Sequence, residues 1–186
     1  ARLETRLSFI RPRFSGRQSV ISIYMKAYKD LVRKVYTQGM SVPDRTGTGT
    51  RELFAESLTV SCAKNQLPLV TLKATKFWPI LVETLWLIRG EPHSNFLTEN
   101  KVAHWNPWAD ANGNLGRVYG VQWRNWISPS GPVDQLKNLV DEIKANPHGR
   151  RHIVTAWNPG ELHEMALPPC HFCFQINVDA LGSMNM

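Results

Sequence analysis

The sequence predicts an α+β fold. Helix-like and strand-like patterns follow one another along the 186 residues without the strict alternation that a parallel α/β sheet requires. The composition, 42% hydrophobic and 20% charged, is that of a globular protein, and the length suits one domain of roughly 100–200 residues. The same composition excludes collagen, a coiled coil and wholesale disorder. The chain lacks the run of about eighteen apolar residues that would predict a membrane span.

Basic residues are concentrated at the start of the chain. Residues 1–24 contain five Arg and one Glu and thus carry +4 of the net charge of +7. We expect them to form a basic extension that precedes a domain over residues 25–186. Their Arg-rich and Ser-rich, acid-poor composition is also typical of an organellar transit peptide. The body is mildly basic, which suits anionic metabolites as well as nucleic acid.

The cysteine count indicates the compartment. Three Cys are too few for a secreted disulfide framework, and no signal-peptide pattern is present. We therefore expect a reducing, cytoplasmic setting, with an organelle as the alternative if the basic extension is a transit peptide.

In the first half, apolar residues at three-to-four spacing predict an amphipathic helix over residues 25–39, which Gly39 ends. A loop of small residues over 44–50 follows, and then strand-like segments over 53–60 and 69–72. A mostly apolar helix is predicted over 79–89, with Pro79 in its first turn and Gly90 at its end.

In the second half, residues 98–126 are rich in aromatic, Gly and Asn residues and predict a long functional loop region. An amphipathic helix is predicted over 133–145. Strands are predicted over 153–157 and 172–178, with a turn-rich stretch between them.

The pair Cys170 and Cys173 has the spacing of redox and zinc motifs. Residues three apart in a strand point to opposite faces, and no second cysteine pair exists, so we reject both functions and expect no metal. Cys170 alone follows Pro168-Pro169 where a loop meets a strand. It is either an exposed nucleophile or a buried structural thiol. We expect Cys62 to lie in the core.

Three charged sites are further candidates. The adjacent guanidiniums of Arg150 and Arg151 suit an anion clamp or, alternatively, a solvated turn. Arg45 lies in a Gly-containing loop that lacks the spacing of Rossmann and P-loop motifs. Glu83 interrupts an apolar helix, so its carboxylate is either tuned for proton transfer or lies on the exposed face.

Taken in order, seven motifs closely resemble the thymidylate synthase family, over about residues 25–179. They are Asp44-Arg45-Thr46-Gly47-Thr48-Gly49-Thr50, Pro68-Leu69-Val70-Thr71, Glu83-Thr84-Leu85-Trp86, Trp105-Asn106-Pro107-Trp108-Ala109-Asp110, Val118-Tyr119-Gly120-Val121-Gln122-Trp123-Arg124, Arg150-Arg151 and Pro169-Cys170-His171.

The resemblance implies a folate-dependent transfer of one carbon to C5 of a pyrimidine deoxynucleotide, with dUMP and 5,10-methylenetetrahydrofolate as substrates. It implies catalytic roles for Cys170, which attacks C6, and for Glu83 and Tyr119, which handle protons. The implied nucleotide-binding residues are Arg45, Arg150, Arg151 and His171, and the implied folate-binding residues are Trp105, Trp108 and Leu167.

The resemblance also implies a mixed or antiparallel sheet packed with helices, whose sheet forms a homodimer interface across which Arg150 and Arg151 reach. The family continues past the region matched here with further residues that bind the nucleotide and with a C-terminal lid. We therefore expect an exposed sheet edge or a second, C-terminal polypeptide.

Two other functions stay open. In a nucleotide hydroxymethylase of the same family, water rather than hydride reacts with the exocyclic methylene. The bulky Trp105 favours the synthase, whereas the polar His104 and Asn106 beside it favour the hydroxymethylase. The other alternative is a non-catalytic remnant that binds nucleotides or RNA. The choice between uracil and cytosine is not predicted.

Overall fold

The computed structural model describes residues 18–44, 47–62 and 67–186, with side chains from Met25 onward. The chain divides into two units, Ala1–Thr75 and Lys76–Met186. Most of the expected basic extension, residues 1–24, lies outside the described residues, so its boundary at Met25 and its role stay predictions. No helix among the described residues is long and apolar enough to cross a membrane.

The described residues of the first unit contain one long helix and one hairpin. Helix α1 spans Gln18–Gln38, which confirms the predicted end before Gly39 and adds seven residues ahead of Met25. Strand β1 (Met40–Val42) pairs antiparallel with β2 (Thr50–Glu52). Residues 45 and 46 of the loop predicted over 44–50 lie outside the described residues.

The strands predicted over 53–60 and 69–72 were wrong. Both segments are irregular, and Phe54 is 99% exposed. Strand propensity depends on packing against a neighbouring strand, and neither segment has one among the described residues. Their apolar residues therefore do not impose strand structure.

Four helices form the frame of the second unit. They are α2 (Phe77–Arg89), α3 (Asn95–Glu99), α4 (Tyr119–Arg124) and α5 (Gln135–Ala145). As predicted, Pro79 lies in the first turn of α2, and Gly90 ends it with a φ of 70°. The Asp134 side chain accepts a 3.0 Å hydrogen bond from the Lys137 N–H and so caps α5. Short 3₁₀ turns span Asn106–Trp108 and Leu162–Glu164.

The strands of the second unit form three antiparallel pairs. Strand β3 (Trp126–Ser128) pairs with β4 (Gly131–Val133), β5 (Ile153–Thr155) with β6 (Cys173–Gln175), and β7 (Asn177–Val178) with β8 (Met184–Asn185). The α+β class is therefore confirmed. The described residues contain four separate two-stranded sheets in all, where one larger sheet was expected.

The core of the second unit consists of two clusters. The larger one packs α2 against the aromatic loop region and against α4; it contains Val82, Trp86, Leu97, Val102, Trp105, Leu115, Val118, Tyr119 and Met165. The smaller one contains Trp123, Leu139, Val154 and Ala156 and holds α4 and α5 against β5. Because Tyr119 and Trp105 belong to the larger cluster, the core fixes residues of the candidate site directly.

Candidate active site

The carboxylate of Glu83 is anchored by an indole. Glu83 lies on α2 beside the buried Val82, and its side chain is 31% exposed. Nε1 of the buried Trp105 donates a 2.6 Å hydrogen bond to Oε1 of Glu83. Oε2 makes no hydrogen bond with the described residues. One oxygen is thus held in place, while the other is available to exchange a proton with a ligand.

A row of aromatic rings extends from this carboxylate. The ring of Trp105 lies 5.4 Å from Trp86, 6.1 Å from Trp108 and 5.9 Å from Tyr119, measured between centroids. Trp105 and Tyr119 meet edge to face, with an interplanar angle of 82°. Trp108 is 41% exposed, so it is the member of the row that offers a ring surface to a ligand.

Tyr119 connects the aromatic row to Cys170. The backbone N–H of Cys170 donates a 2.8 Å hydrogen bond to the Tyr119 hydroxyl. Burial raises the pKa of Tyr119 to about 12, and interactions with the Cys170 side chain and the Glu83 carboxylate also raise it. At neutral pH Tyr119 is therefore a neutral phenol that can accept and donate hydrogen bonds.

Cys170 itself is an exposed free thiol. It follows the buried Pro169 and precedes β6, at the predicted junction of loop and strand. Of the two interpretations that the sequence left open, the structure contradicts the buried structural thiol. Cys62 was expected in the core and is exposed, because the segment that carries it forms no strand.

The strand alternation predicted around Cys173 is confirmed for the residues from Cys173 onward. Phe174 and Ile176 are half-buried and Val178 is buried, whereas Cys173, Gln175 and Asn177 are exposed. Phe172, which lies ahead of β6, is 59% exposed. Where the structure describes the chain, it contains no group of three His, Cys, Asp or Glu side chains that could hold a metal ion.

Two more predicted site residues lie at this cluster. The exposed ring of His171 lies 5.8 Å from Tyr119, and the half-buried Leu167 packs on the core cluster that contains Trp105. Cys170 and His171 border a groove of about 940 Å³. Its apolar lining residues include Ile88, Trp123, Leu136, Val140, Phe172 and Met186.

Arg150 and Arg151 lie elsewhere in the second unit. Both are exposed, and with Glu142, Asn146 and the buried His152 they line a separate recess of about 730 Å³. Neither guanidinium forms an ion pair with any residue that the structure describes. Arg45, the third predicted anion-binding residue, lies outside the described residues.

Two features of the site were missed by the sequence analysis. His104 was noted for its polarity alone, yet its Nε2 lies 3.2 Å from Oε1 of Glu83. Glu161 accepts hydrogen bonds of 2.7 Å from Nε of Arg117 and from Nε2 of Gln122, two residues that flank Tyr119 in sequence. No local pattern identifies Glu161, because it lies 44 residues from Arg117 in sequence.

Comparisons with known proteins agree with this geometry. The family model described as thymidylate synthase matches residues 26–186. The thymidylate synthase of Corynebacterium aurimucosum is 48% identical over 160 residues, which cover 86% of this chain and 59% of that relative. The chain therefore spans about three fifths of the length of this curated relative. The match covers most of the chain, including every described residue of the candidate site, and the chain belongs to the thymidylate synthase family.

Proposed function

We propose that this chain carries the catalytic cysteine, the proton-transfer residues and part of the folate site of a thymidylate synthase, which converts dUMP to dTMP. One observation supports this most directly. An exposed cysteine is fixed by the hydroxyl of Tyr119, in the same aromatic cluster that anchors the carboxylate of Glu83. A nucleophile and a proton-transfer group are thereby attached to the same pair of packed aromatic rings, Tyr119 and Trp105.

In the proposed reaction the sulfur of Cys170 adds to C6 of the pyrimidine of dUMP. The new S–C6 bond places the electron pair of the former C5–C6 double bond on C5, which becomes a carbon nucleophile. C5 then bonds to the methylene carbon as the bond between that carbon and one folate nitrogen breaks. C5 later loses its proton to a base as the bond to the second folate nitrogen breaks, which leaves an exocyclic methylene on C5. This methylene takes a hydride, and its electron pair shifts into the ring. Expulsion of the sulfur restores the C5–C6 double bond, so the cysteine is regenerated.

5,10-Methylenetetrahydrofolate supplies the methylene carbon and the hydride that reduces it, and is oxidised to dihydrofolate. Trp108 presents an exposed ring on which a flat pterin can stack, and Trp105 supports that ring from the core. Leu167 packs on the same cluster and completes the apolar side of the proposed folate site.

Proton transfers are assigned to Glu83 and Tyr119. The free Oε2 of Glu83 is suited to give a proton to the leaving folate nitrogen or to accept one from C5, through water. Tyr119 is neutral at working pH because its pKa lies near 12, so it contributes as a hydrogen-bonding phenol. His171, next to Tyr119, is proposed to contact the nucleotide.

The phosphate of the nucleotide is assigned to Arg45, Arg150 and Arg151. Arg150 and Arg151 line a recess different from the groove at Cys170, so we propose that they bind the nucleotide held by a second copy of the chain. The active form is then a homodimer, whose interface we propose to lie on the β-strands, as the family resemblance implies. Planar guanidiniums suit this role because each donates two parallel hydrogen bonds to a phosphate.

The groove beside Cys170 is unusually apolar for an exposed surface. Phe172, Val140 and Ile88 are 59%, 48% and 46% exposed along it. We propose that polypeptide corresponding to the remaining two fifths of the relative covers this groove and supplies the residues that read the base.

Hydroxymethylation is the second candidate function, and His104 favours it. Its imidazole is half exposed and lies 3.2 Å from the Glu83 carboxylate, where a polar ring beside Trp105 could orient water toward the exocyclic methylene. In that reaction the methylene takes hydroxide from water instead of hydride, and the folate leaves as tetrahydrofolate.

Mass spectrometry of dUMP incubated with the chain and methylenetetrahydrofolate tests the proposal. A 5-methyl product supports the synthase, and a 5-hydroxymethyl product supports the second candidate. Cys170→Ser should abolish either product in a folded protein, whereas Cys173→Ser is the matched control because Cys173 is equally an exposed thiol. Unchanged dUMP and dCMP would contradict catalysis by this chain on its own, and activity of Cys170→Ser near wild type would overturn the nucleophile assignment.

A further inference from the structure

Two backbone segments of the second unit lie in direct contact near Cys170. Ala166 N–H donates a 3.0 Å hydrogen bond to Leu115 O, and Gly116 bridges to Met165. A Cβ at Gly116 would lie 1.9 Å from Glu164 O, so only glycine permits this approach. Residues 115–117 lead into α4, which carries Tyr119. Residues 164–166 lead through Pro168-Pro169 to Cys170.

Glu161 lies three residues ahead of Glu164, on the segment that leads to Cys170, and its carboxylate binds the opposite segment at two points. Its Oε2 accepts 2.7 Å hydrogen bonds from Nε of Arg117 and from Nε2 of Gln122. Gln122 is fully buried, and its Nε2 also donates to Arg117 O at 2.9 Å. Arg117 in turn donates from Nη2 to Asn125 O, at the end of α4. The carboxylate therefore binds Gln122 within α4 and Arg117 just ahead of it, and through Arg117 it is connected to the C-terminal end of α4.

Breaking the hydrogen bonds of Glu161 with Arg117 and Gln122 would cost free energy of folding, because these side chains are largely buried. The side chains of Arg117 and Glu161 are only 18% and 14% exposed. Burial opposes ionisation of Glu161, yet the hydrogen bonds from Arg117 and Gln122 outweigh it and lower the pKa of the carboxyl. Removing the acceptor would leave a buried guanidinium and a buried amide without their partner, and each loss is unfavourable.

We propose that Glu161 is a positioning residue for the Tyr119–Cys170 hydrogen bond. It fixes the helix that carries the hydroxyl acceptor and the segment that carries the N–H donor, and it thereby sets where the cysteine lies relative to Tyr119. The inference concerns the geometry of the site and stands without catalysis. Its consequence for turnover rests on the proposed function.

Hydrogen exchange of the Cys170 amide directly measures how well the hydrogen bond to Tyr119 is maintained. Tyr119→Phe removes the acceptor and should make that amide exchange quickly. Glu161→Gln should accelerate its exchange about tenfold relative to the amide of Trp86, a buried residue of α2. In the Tyr119→Phe background the same Glu161→Gln change should add almost nothing, because the bond through which Glu161 acts is already lost.

Asp134→Asn is the matched control. It removes the ion pair between Arg124 of α4 and Asp134, 2.8 Å long, without touching residues 158–166. Asp134→Asn should lower the free energy of unfolding and leave the ratio of the amide exchange rates of Cys170 and Trp86 unchanged. Equal acceleration by Glu161→Gln in both Tyr119 backgrounds, or equal acceleration at Cys170 and Trp86, would show that Glu161 only stabilises the fold and would overturn the proposal.

Turnover provides the second readout. If the chain is active on dUMP, Glu161→Gln should lower kcat about tenfold with little change in KM, because the cysteine is displaced while the nucleotide contacts remain. If Glu161→Gln accelerates exchange at Cys170 more than at Trp86 but the wild-type chain shows no turnover, the positioning role stands. That result would count against the proposed function alone.

Discussion

The backbone N–H of Cys170 donates a 2.8 Å hydrogen bond to the hydroxyl of Tyr119, 51 residues away in sequence. Cys170 is exposed and lies on a loop, whereas Tyr119 is 4% exposed and lies on α4. The bond therefore attaches the backbone of a loop that carries an exposed thiol to a residue of the buried core. An arrangement of this kind combines access for a ligand with a fixed position for the Cys170 backbone.

The pKa of Tyr119 provides the first prediction. Of the four tyrosines in the chain, Tyr119 should ionise near pH 12, because burial disfavours the phenolate. The measurement is the difference in tyrosinate ultraviolet absorbance between wild type and Tyr119→Phe during an alkaline titration. The unfolded phenol ionises near pH 10, so stability contributed by Tyr119 is present below pH 10 and is lost as the pH rises toward 12. A step near pH 10 for Tyr119 in the folded protein would contradict the environment described here.

The second prediction concerns the contact between α2 and α4. A Cβ on Gly120 would lie 2.2 Å from Leu87 O and 2.8 Å from Leu87 Cα, which is backbone that cannot yield. Gly120→Ala should therefore separate the two helices and destabilise the protein by about 2 kcal/mol or more. Because Tyr119 and Glu83 lie on these helices, the variant should also lose the alignment of the site.

Gly160→Ala is the control for this experiment. A Cβ at Gly160 meets only Asn158 Oδ1, at 3.5 Å, and Gly160 is not among the glycines with positive φ. Urea unfolding should show a change within about 0.5 kcal/mol for Gly160→Ala. Equal stabilities of the two variants would be inconsistent with a tight helix contact at Gly120.

The third prediction follows from the proposed homodimer. Cys170→Ser and the double variant Arg150→Ala/Arg151→Ala should each be inactive, for lack of the nucleophile and of the phosphate contacts. Mixed and allowed to exchange subunits, they should regain part of the activity. In a mixed dimer one site has an intact Cys170 and receives intact arginines from the other chain.

The same mixing experiment has a different outcome if Arg150 and Arg151 act within their own chain. If the arginines served the site of their own chain, each mixed dimer would contain one site without the thiol and one without the arginines. No activity would return, although sedimentation would still show a dimer. A strictly monomeric active protein would likewise refute the arrangement.

The sequence predicted the elements with strong local signals. The apolar periodicity was sufficient to predict α5, and Pro79 and Gly90 were sufficient to predict the two ends of α2. Both succeeded because capping and amphipathicity are local properties of the sequence. The hairpin from Trp126 to Val133 and helix α4 were missed. Helix α4 is six residues long with five of them buried, so it shows no polar face from which a helical period could be recognised.

The candidate site was predicted more through family resemblance than through pattern. Composition and spacing left Cys170 between a nucleophile and a buried thiol, and Glu83 between a tuned carboxylate and an exposed one. The structure settles the exposure of the thiol and reveals the indole partner of Glu83. Partners such as Trp105 and Glu83 are 22 residues apart, and no periodicity reports on contacts at that separation.

The last prediction is a loss of stability in acid that depends on Glu161. The pKa of its carboxyl lies below the ordinary value of 4.5, since the hydrogen bonds from Arg117 and Gln122 outweigh the effect of burial. A depressed pKa means that the contribution to stability is complete above 4.5 and is lost as the pH falls through the folded pKa. The free energy of unfolding of wild type should therefore exceed that of Glu161→Gln by a constant amount near neutral pH. This difference should shrink as the pH is lowered below 4.5 and through the folded pKa, where Glu161 in wild type also becomes neutral. Urea unfolding of both proteins across this pH range measures the difference in free energy of unfolding. The contributions of the other carboxylates cancel in this difference, because both proteins share them. A difference that stays constant over the whole acid range in which both proteins remain folded would mean that the charge of Glu161 is not what binds Arg117 and Gln122.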